Sequence, residues 1–178
     1  NVFVYDTMVT LDDGVSSQEA EEIRESVQGM DGVEAVLPLY SRSMDAQTSE
    51  GIQSVSLMVP KEPENLRSFI DLHERESGEK LELSDNGVIL NEKLGKLLDA
   101  GVGDTIILVN PDGRPIEATV EGIAENYALN YVYMTPAFYE NAFRAQPSYT
   151  TLLVEHADDV DESGLTEQIL NLSDSILG

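Results

Sequence analysis

The sequence predicts an α+β fold: a ferredoxin-like split β-α-β lobe built from both chain ends, with a small β-rich lobe inserted between them. Two observations carry that expectation. Met8–Val36 reads strand, acidic turn, amphipathic helix, glycine, strand, and Leu152–Gly178 follows the same outline as far as Ile176-Leu177-Gly178, where a last strand would be clipped. Between them, Gly87–Phe143 alternates short strands, short helices and a hairpin turn whose local signals agree throughout. Paired βα units joined by an antiparallel hairpin form a split layer, and helices on one face of it bury both amphipathic stripes. The division reads as 1–82 plus 146–178 for the lobe of the two ends and 83–145 for the inserted lobe.

Val2–Tyr5 and Met8–Leu11 read as one strand bent near Asp6 and ended by Asp12-Asp13-Gly14. Ser16-x-x-Glu19 is a capping-box pattern. Ala20, Ile23 and Val27 then share one helical face, with Glu21, Glu22, Arg24 and Glu25 outside it. Gly29 stops the helix and Gly32 turns the chain. Val33–Tyr40 reads as the second strand, where Pro38 asks for an edge or a bulge because it has no N–H to give a ladder. The polar stretch Arg42–Gly51 reads as a turn or a long hairpin tip. Ile52–Val59 reads as the third strand, with Gln53, Val55, Leu57 and Val59 on one side and Ile52, Ser54, Ser56 and Met58 on the other. Past Pro60 and Pro63, a helix is expected to about Glu76, with Leu66, Phe69, Ile70 and His73 on its apolar stripe.

The central stretch is the most legible. Val88-Ile89-Leu90 is too short an apolar run for a helix, and Asn91 stands where a cap would accept an orphan N–H. Leu94, Leu97 and Leu98 recur at helical spacing, and Gly101 is the expected left-handed stop. Thr105–Val109 and Ile116–Ile123 read as two strands about an Asn110-Pro111-Asp112-Gly113 turn. Tyr131–Met134 is a further strand, and Thr135-Pro136 caps a short helix with proline at its first position. Arg144–Ser148 reads as a linker and Thr150–Glu155 as a strand. Asp158–Ser163 reads as an acidic loop or helix start, and Leu165, Ile169, Leu172 and Ile176 mark the face of a last helix.

This ordered set resembles the extracellular domain of FtsX-like (MacB-type) ABC-transporter permeases. The resembling residues are ILNEKLGKLLDAGVG at Ile89–Gly103 followed by Asp104-Thr105, Val120-Glu121-Gly122-Ile123 leading to Glu125-Asn126-Tyr127, and Tyr131–Pro136 with Phe138-Tyr139. The resemblance covers about a third of the chain. It implies a porter-like lobe near the membrane carrying a small β-rich lobe above it. It also implies a cognate cytoplasmic ATPase subunit whose cycle moves the membrane helices. The expected role is non-enzymatic: relaying that motion to an extracellular peptide, lipoprotein or cell-wall enzyme.

Composition bounds the alternatives. Thirty-four acidic and ten basic residues in 178 give a formal charge of −24, which repels nucleic acid and anionic lipid. No cysteine is present, so disulfides, thiolate metal sites and thiol nucleophiles are excluded. No run approaches the roughly 20 apolar residues that span a bilayer. A start at Asn1 rather than methionine leads us to expect an excised piece of a longer protein.

The sequence assigns no catalytic, cofactor-binding or metal residues. No G-x-S-x-G elbow or P-loop is present, and Gly101-Val102-Gly103 follows a helix where a dinucleotide fingerprint would precede one. His73 reads as a packed side chain. His156 precedes Asp158, Asp159, Asp161 and Glu162, a conceivable hard-cation site, but the EF-hand order is absent and helix-start acids are the simpler reading. Tyr127, Tyr131, Tyr133 and Tyr139 form the densest aromatic cluster; it reads as packing, and Tyr127, Tyr131 and Tyr133 are the candidates for contact with a partner. Two rivals remain: a small-barrel enzyme using Asp104 or the tyrosines, and a stand-alone surface module for cations or basic peptides.

Overall fold

The computed structural model describes residues 2–178 and is a mixed α+β fold on one eight-stranded sheet. The strands are β1 (Thr7–Thr10), β2 (Val33–Thr48), β3 (Gly51–Pro60), β4 (Val88–Asn91), β5 (Thr105–Val109), β6 (Pro115–Ala124), β7 (Tyr131–Tyr133) and β8 (Thr151–His156). The helices are α1 (Ser17–Gln28), α2 (Glu92–Leu98), α3 (Pro136–Phe143) and α4 (Glu162–Leu170). Strand order is β1-β8-β2-β3-β7-β4-β6-β5, and β5 pairs back onto β2. Six strands thus close on themselves, while β8 and β1 extend from β2 as a wing.

The wing holds both chain ends. β8 lies antiparallel between β1 and β2, so β1 and β2 run parallel and α1 connects them. Beyond α4 the chain returns along the other edge of β1: Leu177 N–H donates to Thr10 O (2.8 Å) and Thr10 N–H to Gly178 O (2.7 Å). The first and last βα segments therefore share a sheet. Their helices cover one face, packing Ile23, Val27, Leu165 and Ile169 on Val9, Val36, Leu152 and Val154. Ser16 caps α1 by accepting Glu19 N–H (3.0 Å), but the Glu19 carboxylate accepts from the Ser173 hydroxyl (3.1 Å) instead of closing the box.

Several expectations need correction. Arg42–Thr48 is strand, not a hairpin tip: β2 runs on to Thr48 and the turn is two residues. Tyr40, Arg42, Met44 and Ala46 point inward while Ser41, Ser43 and Asp45 face solvent. That alternation is the strand signal, masked by polar composition. The strand has a register shift against β8 between Val33 and Ala35, and Pro38 lies farther on, where its β3 side is already an edge. Its carbonyl accepts from Lys61 just past the last β2–β3 pair, Leu39↔Pro60, so its missing N–H points beyond the end of that ladder. The helix expected to Glu76 is a 3-10 turn over Pro63–Ser68. After it the backbone bonds to the N-terminal segment, with Val4 N–H on Phe69 O (2.8 Å) and Asp71 N–H on Val2 O (2.7 Å). Its apolar residues fill a junction core with Leu37, Leu39, Met58, Ile89 and Leu153.

In the closed part, Leu57, Leu90, Ile106, Leu108, Val120 and Val132 meet Leu94 and Leu98 of α2 and Tyr139 of α3. α2 ends at Asp99 in the left-handed region (φ 51°), not at Gly101. Thr135 caps α3 by accepting Phe138 N–H (3.0 Å), with Pro136 behind it, as the sequence indicates.

Candidate functional site

The candidate tyrosines lie at three depths. Tyr133 is buried in the junction core, and burial raises its hydroxyl above the ordinary phenol range. Tyr131 is half-buried, stacked on Tyr133 at 5.9 Å between centroids and edge-on to Phe3 at 5.5 Å. Tyr127 presents its ring to solvent, 43% exposed. Tyr139 packs inside the barrel against Tyr40 and Phe143.

Asn91 sets the position of the loop that carries Tyr127. Fully buried at the end of β4, it stands where a helix cap belongs but caps nothing. Its amide donates to Asn126 O (3.2 Å) and Leu129 O (2.8 Å), and its oxygen accepts Tyr131 N–H (3.0 Å). One side chain thus replaces a missing strand partner for both ends of the Asn126–Asn130 loop. At the far side Asn130 donates to Ser54 O (3.1 Å).

A charged strap fastens the segment after the 3-10 turn to the barrel. His73 Nε2 meets Glu125 Oε2 at 2.5 Å and Nδ1 meets Asp71 O at 3.2 Å. Arg75 bonds Glu92 through Nε (2.9 Å) and Glu125 through a terminal nitrogen (3.0 Å), and Lys80 holds Asp71 (2.7 Å). Arg75 and Lys96 also lie over the Tyr127 ring, at 5.4 and 5.0 Å. The Glu125 hydrogen bond raises the His73 imidazole above its ordinary 6.5 against an opposing desolvation, with the Asp71 carbonyl and the charges of Asp71 and Glu125 adding to the rise. A raised folded-state value gives stabilisation that is full below about 6.5 and lost as pH rises through the folded value. Hydrogen exchange of Glu125 N–H, which donates to His73 O (2.8 Å), is therefore expected to be slower relative to the chemical rate at pH 6 than at pH 9. His73→Gln should flatten that difference; an unchanged profile would refute it.

The rival sites resolve into local structure. Asp104 accepts Gly101 N–H (2.8 Å) and closes the turn after α2. Asp161 and Glu162 begin α4, while His156 Nδ1 donates to Ala157 O (2.9 Å). A cleft of about 460 Å³ opens between the start of α1 and Gln146–Thr150, but its Lys61 is paired with Glu21 at 3.0 Å. Neither Asn91 as a loop clamp nor Leu129 carried a local signal. Their partners lie roughly 40 residues away in sequence.

The fold has relatives among solved structures. It is similar to the periplasmic region of MacB from Actinobacillus actinomycetemcomitans (15% identity, TM-score 0.57, covering 96% of this chain and 86% of that one). It is also similar to the extracellular domain of the noncanonic ABC-type transporter YknZ from Gram-positive bacteria (18%, 0.55, 89% and 88%). Among curated proteins none matches the chain in sequence. The profile of the MacB-like periplasmic core domain matches residues 2–172, nearly the whole chain, and the chain belongs to that family. It is an extracytoplasmic domain of a MacB-like ABC-transporter permease.

Proposed function

We propose that this domain, without chemistry of its own, relays motion of the permease's membrane helices, driven by a cytoplasmic ATPase, to an extracellular peptide, lipoprotein or cell-wall enzyme. The observation that carries the reading is the β2–β3 hairpin. β2 lends one edge to β8 in its first half and to β5 near its end, while β3 follows its other edge and continues to β7. One long hairpin is thus common to the wing and the barrel. A displacement of the wing must carry the barrel with it, which is what a mechanical relay needs. In this reading residues 1–82 plus 146–178 form the porter-like, split β-α-β lobe next to the membrane, and 83–145 the cap above it. Of the three candidate contacts Tyr127, Tyr131 and Tyr133, the exposed Tyr127 meets the partner first, while Tyr131 and Tyr133 pack on the junction core.

The test uses the parent permease reconstituted with its ATPase. A cysteine replacing exposed Glu117 on β6 carries one spin label, this domain having no cysteine of its own and any elsewhere in the permease being replaced by serine, and the lipid headgroups carry the second. The label-to-membrane distance is expected to differ between ATP-bound and ADP-bound states. A distance that stays fixed while ATP is turned over would overturn the relay.

A further inference from the structure

The loop clamped by Asn91 holds a leucine in a conformation that leucine disfavours, and holds it out to water. Leu129 has φ +60° and is 62% exposed. A β-carbon in the left-handed region is strained, and an exposed leucine gains nothing from burial to offset it. Glycine or asparagine would fit that backbone better. The strain persists because Asn91 grips the Leu129 carbonyl at 2.8 Å. Backbone strain imposed by surrounding structure is a common mark of a contact site.

The surroundings supply a second, independent observation. Leu97 on α2 is 42% exposed and follows Lys96, which lies over the 43% exposed Tyr127. Lys93, Lys96 and Leu97 stand at i, i+3 and i+4 and so share one face of α2. Lys93 N–H donates to Asn126 O (3.3 Å), and the Lys96 ammonium lies 5.0 Å from the Tyr127 ring centre, so this face and the loop are continuous. The chain has 34 acidic and 10 basic residues, yet among the described residues no carboxylate lies within 4.0 Å of either lysine. Arg75 beside them is, by contrast, held by both Glu92 and Glu125. Among the described residues Lys93 has no ion pair, and Lys96 is shared with the Tyr127 ring and the charge of Glu92, so two cations stand beside three exposed apolar side chains on a molecule that is acidic overall.

We propose that this spot docks an acidic, aliphatic segment of a partner protein. The partner's aliphatic side chains pack on Tyr127, Leu129 and Leu97 while its carboxylates meet Lys93 and Lys96. The proposal deepens the partner-contact part of the relay reading and rests on it. Charge supplies the preference, because the two lysines offer cations to a segment that the overall −24 otherwise repels.

The test is a titration of the labelled domain, followed by NMR, with two synthetic peptides of equal length, one alternating Glu and Leu and one alternating Gln and Leu. The acidic peptide is expected to shift the amides of Lys93, Lys96, Leu97, Tyr127 and Leu129, and to bind more tightly at low salt. Leu129→Asn should weaken it roughly tenfold, the scale of a central contact residue, while leaving Tm unchanged or higher because the strain is relieved. Lys96→Glu should weaken it comparably and remove most of its salt dependence. The proposal is overturned if both peptides bind alike, if the shifts map elsewhere, or if Leu129→Asn leaves binding intact. Self-association abolished by Lys96→Glu would also overturn it, by assigning the spot to a second copy of the chain. A label on Glu117 that fails to move would sink the relay and leave this contact standing.

Discussion

Asn91→Asp is expected to destabilise the domain by about 3 kcal/mol, because it keeps the shape of the side chain and removes its donors. The amide now gives one hydrogen to Asn126 O and one to Leu129 O. A carboxylate in the same place would turn an acceptor toward two carbonyl oxygens inside a fully buried site. A buried group left without its partner loses its solvation with nothing to replace it, and a charge loses more than a neutral group. Acid should recover part of the difference between variant and parent, since a protonated carboxyl can donate one bond. Chemical denaturation reads the loss, and hydrogen exchange locates it: Ala128 N–H, which donates to Asn126 Oδ1 (2.9 Å), should exchange faster. A loss below about 1 kcal/mol would mean that water serves the loop as well as Asn91 does.

Gly32→Ala should be nearly as damaging, for a different reason. Gly32 turns the chain between α1 and β2 at φ +88°, and a β-carbon there would stand 2.1 Å from Val160 Cγ2. Its carbonyl accepts Ala157 N–H (2.8 Å), so the turn after the first helix is tied to the loop before the last. Strain and overlap together suggest a loss of roughly 2–4 kcal/mol. Val160→Ala in the same chain should recover the overlap but not the backbone strain, about 1–2 kcal/mol. The double-mutant cycle separates the two contributions. If the pair shows no coupling, the valine had room to turn away.

How much of this was legible beforehand follows the range of the interactions. β4, β5, β6 and the Asn110–Gly113 turn lie where the sequence puts them, because alternation and turn chemistry are local. Cap positions were legible too, at Ser16 and Thr135. The second half of β2 was not: its polar residues conceal the alternation, and the strand exists because β3 and β5 flank it. The helix expected past Pro63 failed because Phe69–Asp71 find backbone partners in Val2–Tyr5, which compete with helical bonds. Asn91 was recognised as a cap and acts as a clamp, since its hydrogen bonds close across a loop that the sequence alone does not position.

By itself, then, the amino-acid order determined the α+β class, the placing of most strands and helices, the acidic character and the family resemblance. Each of these rests on neighbours within a few residues or on simple totals. The tertiary structure decided which tyrosine reaches solvent, which lysines lack a carboxylate, and that one hairpin joins both ends of the molecule. Those facts depend on groups brought together from distant parts of the chain, and their separation in sequence carries no periodicity from which to read the contact.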